Sequence, residues 1–153
     1  MTLEELQTEL NGLIHQTVTF TRIAGNSIII YFFGKPGDDS VISVFVDPTW
    51  RYQQNGKIIL GSYDLQIDEE NFASKEAYEE RFDYLCSLTD GLSGAELVSC
   101  TIDLESSDIN LGFSGGQVVR NFANSAFEDN HWTYRNLQKK LTANVSPVGV
   151  ILR

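Results

Sequence analysis

The stretch Val41 to Asp64, VISVFVDPTWRYQQNGKIILGSYD, gathers the side chains of this chain best suited to chemistry: Asp47, Trp50, Arg51, Tyr52, Ser62, Tyr63 and Asp64. An arginine between two carboxylates permits three roles. An Arg–carboxylate fork braces a fold in bidentate geometry. Exposed Trp, Tyr and Arg anchor a protein partner, because these types dominate interface hot spots. Two carboxylates in different environments serve as general acid and base. The first role sets Arg51 against Asp47 or Asp64, with Trp50 covering the core edge. The second makes Trp50, Arg51, Tyr52, Tyr63 and Asp64 a recognition patch. The third needs an apolar pocket to raise one carboxyl pKa, and no residue run announces one.

Other motifs are weaker. Gly112-Phe113-Ser114-Gly115-Gly116 matches the G-x-S-x-G elbow, and the order Ser114, Asp129, His131 imitates a hydrolase triad. The elbow requires a strand-to-helix turn, whereas Gln117 to Phe122 reads as a strand, so Ser114-Gly115-Gly116 is expected to be a hairpin loop. His15 and His131 are the only histidines and Cys86 and Cys100 the only thiols; no zinc spacing appears, and both cysteines are expected to be buried and neutral. Asp64, Gln66, Asp68 and Glu70 resemble the start of a calcium loop but lack its glycine and place Lys75 where the bidentate glutamate belongs. No P-loop or dinucleotide fingerprint is present, and no cofactor is expected.

Charge narrows the choice of partner. Twenty-one acids against 11 bases give a net charge of −10, which repels phosphate backbones and anionic membranes and favours a basic protein. Asp64, Asp68, Glu69, Glu70, Glu76, Glu79, Glu80 and Asp83 stand in one run with only Lys75 and Arg81. That run is a solvated face or an electrostatic docking surface, in which Glu76, Glu79 and Glu80 join the recognition patch. The opening MTLEELQTEL has neither a basic start nor an apolar run, no stretch reaches a membrane-spanning length, and the two cysteines suit a reduced compartment, so a cytoplasmic protein is expected.

The elements that must position these residues are readable from periodicity. Thr2 and Glu5 form a capping box ahead of Leu3, Leu6, Leu10, Leu13 and Ile14 at helical spacing. Strands are expected at 17–24, 27–33, 41–47 and 57–63, with turns at Gly25-Asn26 and Asn55-Gly56. Ser43, Phe45 and Asp47 then share one face and Val44 and Val46 the other, while Trp50–Arg51 and Ser62–Asp64 meet at one end of the hairpin. Ser74 caps a second helix carrying Ala77, Tyr78, Phe82, Leu85 and Leu88, which is expected to pack across the sheet. Strands follow at 97–104, 109–113, 117–122, 132–137 and 148–152. Short sequential strands with tight turns imply antiparallel pairing. The expected fold is α+β, an antiparallel β-meander sheet with an N-terminal helix and one central helix, in a single domain over 1–153.

From Ser40 to about Trp132 the chain resembles a family of small uncharacterised bacterial proteins. The shared pattern is a strand, Asp47-Pro48-x-Trp50-Arg51, a turn, a strand, Gly61-Ser62-x-Asp64, an acidic helix, and a β-hairpin at Asp108 to Phe122 leading to Trp132. The resemblance implies a fold and no established activity. The expectation for function is a non-enzymatic binding protein, such as an acidic immunity-type inhibitor of a basic toxin or nuclease. The alternative is a small-molecule-binding protein or hydrolytic enzyme built on the Asp47, Arg51 and Asp64 corner.

Overall fold

The computed structural model describes residues 1–123, 126 and 129–153. The fold is α+β, as expected, but the strands divide between two antiparallel sheets. A six-stranded sheet joins β1 (Phe20–Ala24), β2 (Ser27–Phe33), β3 (Ile42–Val46), β9 (Trp132–Asn136), β10 (Leu141–Ser146) and β11 (Gly149–Leu152) in the spatial order β1-β2-β3-β9-β10-β11. A five-stranded sheet joins β4 (Trp50–Gln54), β5 (Lys57–Gly61), β6 (Leu97–Ile102), β7 (Ile109–Phe113) and β8 (Gln117–Asn121) in the order β5-β4-β8-β7-β6.

Alternation along each strand builds the shared core. Ile28, Ile30, Phe32, Val44, Val46, Trp132, Tyr134 and Val145 from the first sheet meet Trp50, Tyr52, Leu60, Leu111, Phe113 and Val119 from the second in one buried cluster. Phe32 and Phe113 stack across the gap with ring centroids 6.4 Å apart. Positions of the opposite parity face outward, and on β2 and β3 these include the apolar Ile29, Tyr31 and Phe45.

The helices lie at the margins. In α1 (Leu3–Asn11) the Thr2 hydroxyl accepts from the Glu5 N–H at 3.2 Å and the Glu5 carboxylate accepts from the Thr2 N–H at 2.7 Å, completing the capping box. Leu6 and Leu10 are buried, and the Gln7 amide behaves like a piece of strand. Its Nε2 donates to the Cys100 carbonyl at 2.9 Å and its Oε1 accepts from the Ile102 N–H at 2.6 Å. The helix thereby covers the open edge of β6, which would otherwise present unpaired groups. Helix α2 (Lys75–Ser87), capped by Ser74 as expected, buries only Leu85, with Phe82 and Leu88 half-buried. A narrow apolar stripe, Leu85 with Phe82 and Leu88, packs it against the core cluster.

Candidate ligand-binding groove

The stretch Val41 to Asp64 is not one hairpin. Its first strand, β3, pairs with β2 and β9, while the Asn55-Gly56 turn joins β4 to β5 in the other sheet. Asp47 to Thr49 carries the chain from one sheet to the other. The Asn121 side-chain amide pins this crossing, donating toward the carbonyls of Asp47 at 3.3 Å, Thr49 at 3.2 Å and His131 at 3.4 Å. Trp50 then drops into the core, 1% exposed, its indole N–H donating to the Asn26 carbonyl at 2.8 Å.

This crossing separates the residues that the sequence places together. Asp47 faces outward from the first sheet and Arg51 outward from the second, so the core lies between them. Sheets packed face to face are about 10 Å apart, too far for a guanidinium–carboxylate fork. Trp50–Arg51 does meet Gly61–Ser62, since Arg51 pairs with Gly61 and the Trp50 N–H donates to the Ser62 hydroxyl at 3.2 Å. Asp64, however, turns back to accept the Gly61 N–H at 2.8 Å, and no ion pair joins Arg51 to either carboxylate. The Arg51 guanidinium instead lies 4.6 Å from the centre of the Phe122 ring.

The expected recognition patch is therefore divided. Trp50 and Tyr52 are core residues at 1% and 2% exposure, and the Tyr52 hydroxyl donates to Gln117 Oε1 at 2.7 Å, so neither reaches a partner's surface. Burial raises the Tyr52 pKa. Tyr63 is 77% exposed, and Asp64, Glu76, Glu79 and Glu80 are also exposed. Of these acids, Glu79 pairs with Lys75 at 3.5 Å. The G-x-S-x-G run is a hairpin loop, with Gly115 at φ 76° and Gly116 at φ 71°. Ser114 Oγ accepts from the Glu96 N–H, while both His131 ring nitrogens are buried without a hydrogen-bond partner, so the imitated triad does not form. Cys100 is buried and its thiol is pushed up to about 12; Cys86 is half-buried and also raised, first by burial and then by Asp83 and Asp90.

What Asp47 does join is a groove of about 570 Å³ on the outer face of the six-stranded sheet. Two rows of side chains across neighbouring strands make its floor. Ile29, Phe45, Thr133 and Asn144 form one row, and Tyr31, Ser43 and Arg135 form the other. The loop between β2 and β3 supplies a wall from Pro36, Gly37, Asp38 and Asp39. That loop is fixed by a local bond, with Asp38 Oδ2 accepting the Lys35 N–H at 2.9 Å, and by the Leu137 N–H donating to the Val41 carbonyl at 2.9 Å. Gly34 permits the turn: its φ is +71°, and a Cβ there would meet Asp38 Oδ2 at 3.1 Å.

Two features give the groove chemical potential. Asp47 is half-buried, and desolvation raises its pKa, opposed by the hydrogen bond from Ser27 Oγ at 3.0 Å and by the attraction of His131. Asn144 is 6% exposed, its Oδ1 accepts from Thr133 Oγ1 at 2.9 Å, and its buried Nδ2 has no acceptor among the described residues. Asp38, Asp39 and Asp47 outnumber Arg135, the one basic residue lining the groove among the described residues, so the groove favours positive charge.

Sequence reasoning found the outward face of Ser43, Phe45 and Asp47 but missed Tyr31, Thr133, Arg135 and Asn144. The missing signal is strand order, which brings β9 beside β3 from about 90 residues away and β10 next to β9. Among the described residues no group of three or more His, Cys, Asp or Glu side chains is placed to hold a metal ion. No helix among them is long and apolar enough to cross a membrane. Compared with known proteins, the chain matches no family model, no curated protein and no solved structure.

Proposed function

We propose that this chain is a non-enzymatic binding protein whose ligand site is the groove on the outer face of the six-stranded sheet, and that the ligand is a small organic cation. The observation that carries the reading is Asp47, a half-buried carboxylate at the end of a concave surface that makes no ion pair among the described residues. Partial desolvation of a carboxylate is costly, and an incoming cation offsets that cost. Ile29, Phe45 and Tyr31 offer apolar contact. An acid–base role for Asp47 and Asp64 finds no support, because Asp64 lies outside the groove wall and caps Gly61.

Calorimetric titration with spermidine and with Gly-Arg-Gly at constant ionic strength tests this reading. Saturable binding that weakens at least about tenfold in Asp47→Asn, the scale of one lost charge contact, is the expected result. Binding that is absent for both probes, or equal in the variant, refutes it.

A second reading is favoured by the exposure of Tyr63 beside Asp64 and the solvent-facing Glu76, Glu79 and Glu80 of α2. In it, an acidic immunity-type inhibitor covers a basic toxin or nuclease through charge complementarity and an aromatic anchor. Reversing Glu76, Glu79 and Glu80 to Lys would abolish low-salt recovery of one basic partner from native lysate. Unchanged recovery would remove this reading.

A further inference from the structure

The opposite outer face carries a different anomaly. Arg51 on β4 and Arg120 on β8 are direct cross-strand partners, in a chain with a net charge of −10. Like charges directly opposite one another destabilise an antiparallel pair, and nothing in the core requires this arrangement because both side chains point outward. Neither guanidinium makes an ion pair or a hydrogen bond among the described residues. The Nε of each is closed to solvent without an acceptor, so each cation is partly desolvated. Arg51 is fixed as well as charged, with its guanidinium stacked over Phe122 at 4.6 Å.

Two acids near Arg120 are engaged by backbone N–H groups. Asp103 and Asp108 border the shallow cleft that Arg120 also lines. Asp103 Oδ1 accepts the N–H groups of Glu105 and Ser106, which hold its pKa below the usual range, and Asp108 Oδ1 accepts the Ala123 N–H. Neither forms an ion pair with Arg120. Two half-buried cations side by side, neither paired with an anion among the described residues, form half of a recognition site.

We propose that Arg51 and Arg120 bind a phosphate group, free or as a monoester, through the terminal nitrogens of both guanidiniums. A dianion matches the two charges and relieves their repulsion. A planar carboxylate seeking the Nε side of an arginine meets closed Nε atoms, whereas a tetrahedral group bridges two forks end-on. The site is independent of the groove, which lies across the core and whose charged groups are mostly acidic.

The test uses the full chain in phosphate-free buffer with ionic strength held by chloride. Inorganic phosphate should raise Tm saturably, and Arg51→Gln and Arg120→Gln should each weaken the apparent affinity at least about tenfold, as expected for a lost charge-assisted hydrogen bond. Lys57→Gln, which removes an exposed cation of β5, should leave it unchanged. Phenyl phosphate identifies the source: affinity equal to or above that of inorganic phosphate marks a phosphoester ligand, and binding of inorganic phosphate alone marks the free ion. An identical shift with added chloride, or unchanged affinity in both arginine variants, overturns the proposal. Should either variant fail to fold, the arginine Nε–H resonances of the unaltered protein decide. Movement of both on phosphate addition supports the site, and no movement overturns it.

Discussion

On the outer face of the six-stranded sheet the charged groups surround a concavity, with Asp47 at one end and Asp38 and Asp39 on the overhanging loop; on the outer face of the five-stranded sheet Arg51 and Arg120 stand together beside Phe122. Both faces alternate with the same buried core, so the difference lies in what covers the strands. The first sheet has a 34–41 loop that returns over its own strands and encloses space. On the second sheet the polar groups meet through strand pairing alone. A groove selects by shape and charge, while an arginine pair selects by charge and hydrogen-bond geometry. One short crossing at Asp47 to Thr49 assigns the acid to one face and the arginine to the other.

The largest expected effect comes from removing the residue that anchors this crossing. Trp50→Ala deletes a fully buried indole and its bond to the Asn26 carbonyl, and should cost roughly 3–5 kcal/mol in urea unfolding. A loss below about 1 kcal/mol would show that Trp50 is not the wedge between the faces, and the contrast drawn above would fail with it.

How the sequence conveyed this arrangement differs from element to element. Thr2 with Glu5, Gly25-Asn26, Asn55-Gly56 and Ser74 each act within four residues, and all four appear as local periodicity and capping rules require. The inward Val44 and Val46 and outward Ser43 and Asp47 were equally readable, because alternation is a local property. Strand β4 was not: WRYQQ buries Trp50 and Tyr52 with a bond from each polar tip, so its aromatic residues read as surface anchors when they are core. Strand β10 was missed because LTANVS buries Asn144 and Ser146, polar residues that break the apolar alternation. The separation of Asp47 from Arg51 depends on which sheet each strand joins, and no local pattern encodes that choice.

A smaller effect is expected from Arg51→Ala. Losing the contact with Phe122 costs about 0.5–1 kcal/mol, and removing the repulsion opposite Arg120 offsets part of it, so the net change in unfolding free energy should stay below about 1 kcal/mol. This measurement sharpens the contrast directly. If Arg51 instead closed a buried ion pair with Asp47 or Asp64, the loss would approach 3–5 kcal/mol, and the two faces would be one braced corner.

The smallest effect concerns the charge on Asp47. Burial raises its folded-state pKa above the ordinary aspartate value, so the native chain holds this proton more tightly than the unfolded chain does. Stability attributable to Asp47 therefore falls as pH rises through the interval between the unfolded and folded values. The cost is fully present above the folded pKa and absent below the unfolded one. Asp47→Asn keeps an oxygen to accept from Ser27 Oγ but never ionises. It should be the more stable protein at pH 7, by less than about 1 kcal/mol because the carboxylate is only half-buried and solvent screens it. The gap between variant and parent should close as pH is lowered below the folded pKa of Asp47. The same variant should bind groove cations more weakly while melting higher, a divergence that a purely structural aspartate would not produce. Parallel loss of stability and binding at pH 7 would instead make Asp47 a brace for the crossing, and the groove would no longer stand against the arginine face as a second binding surface.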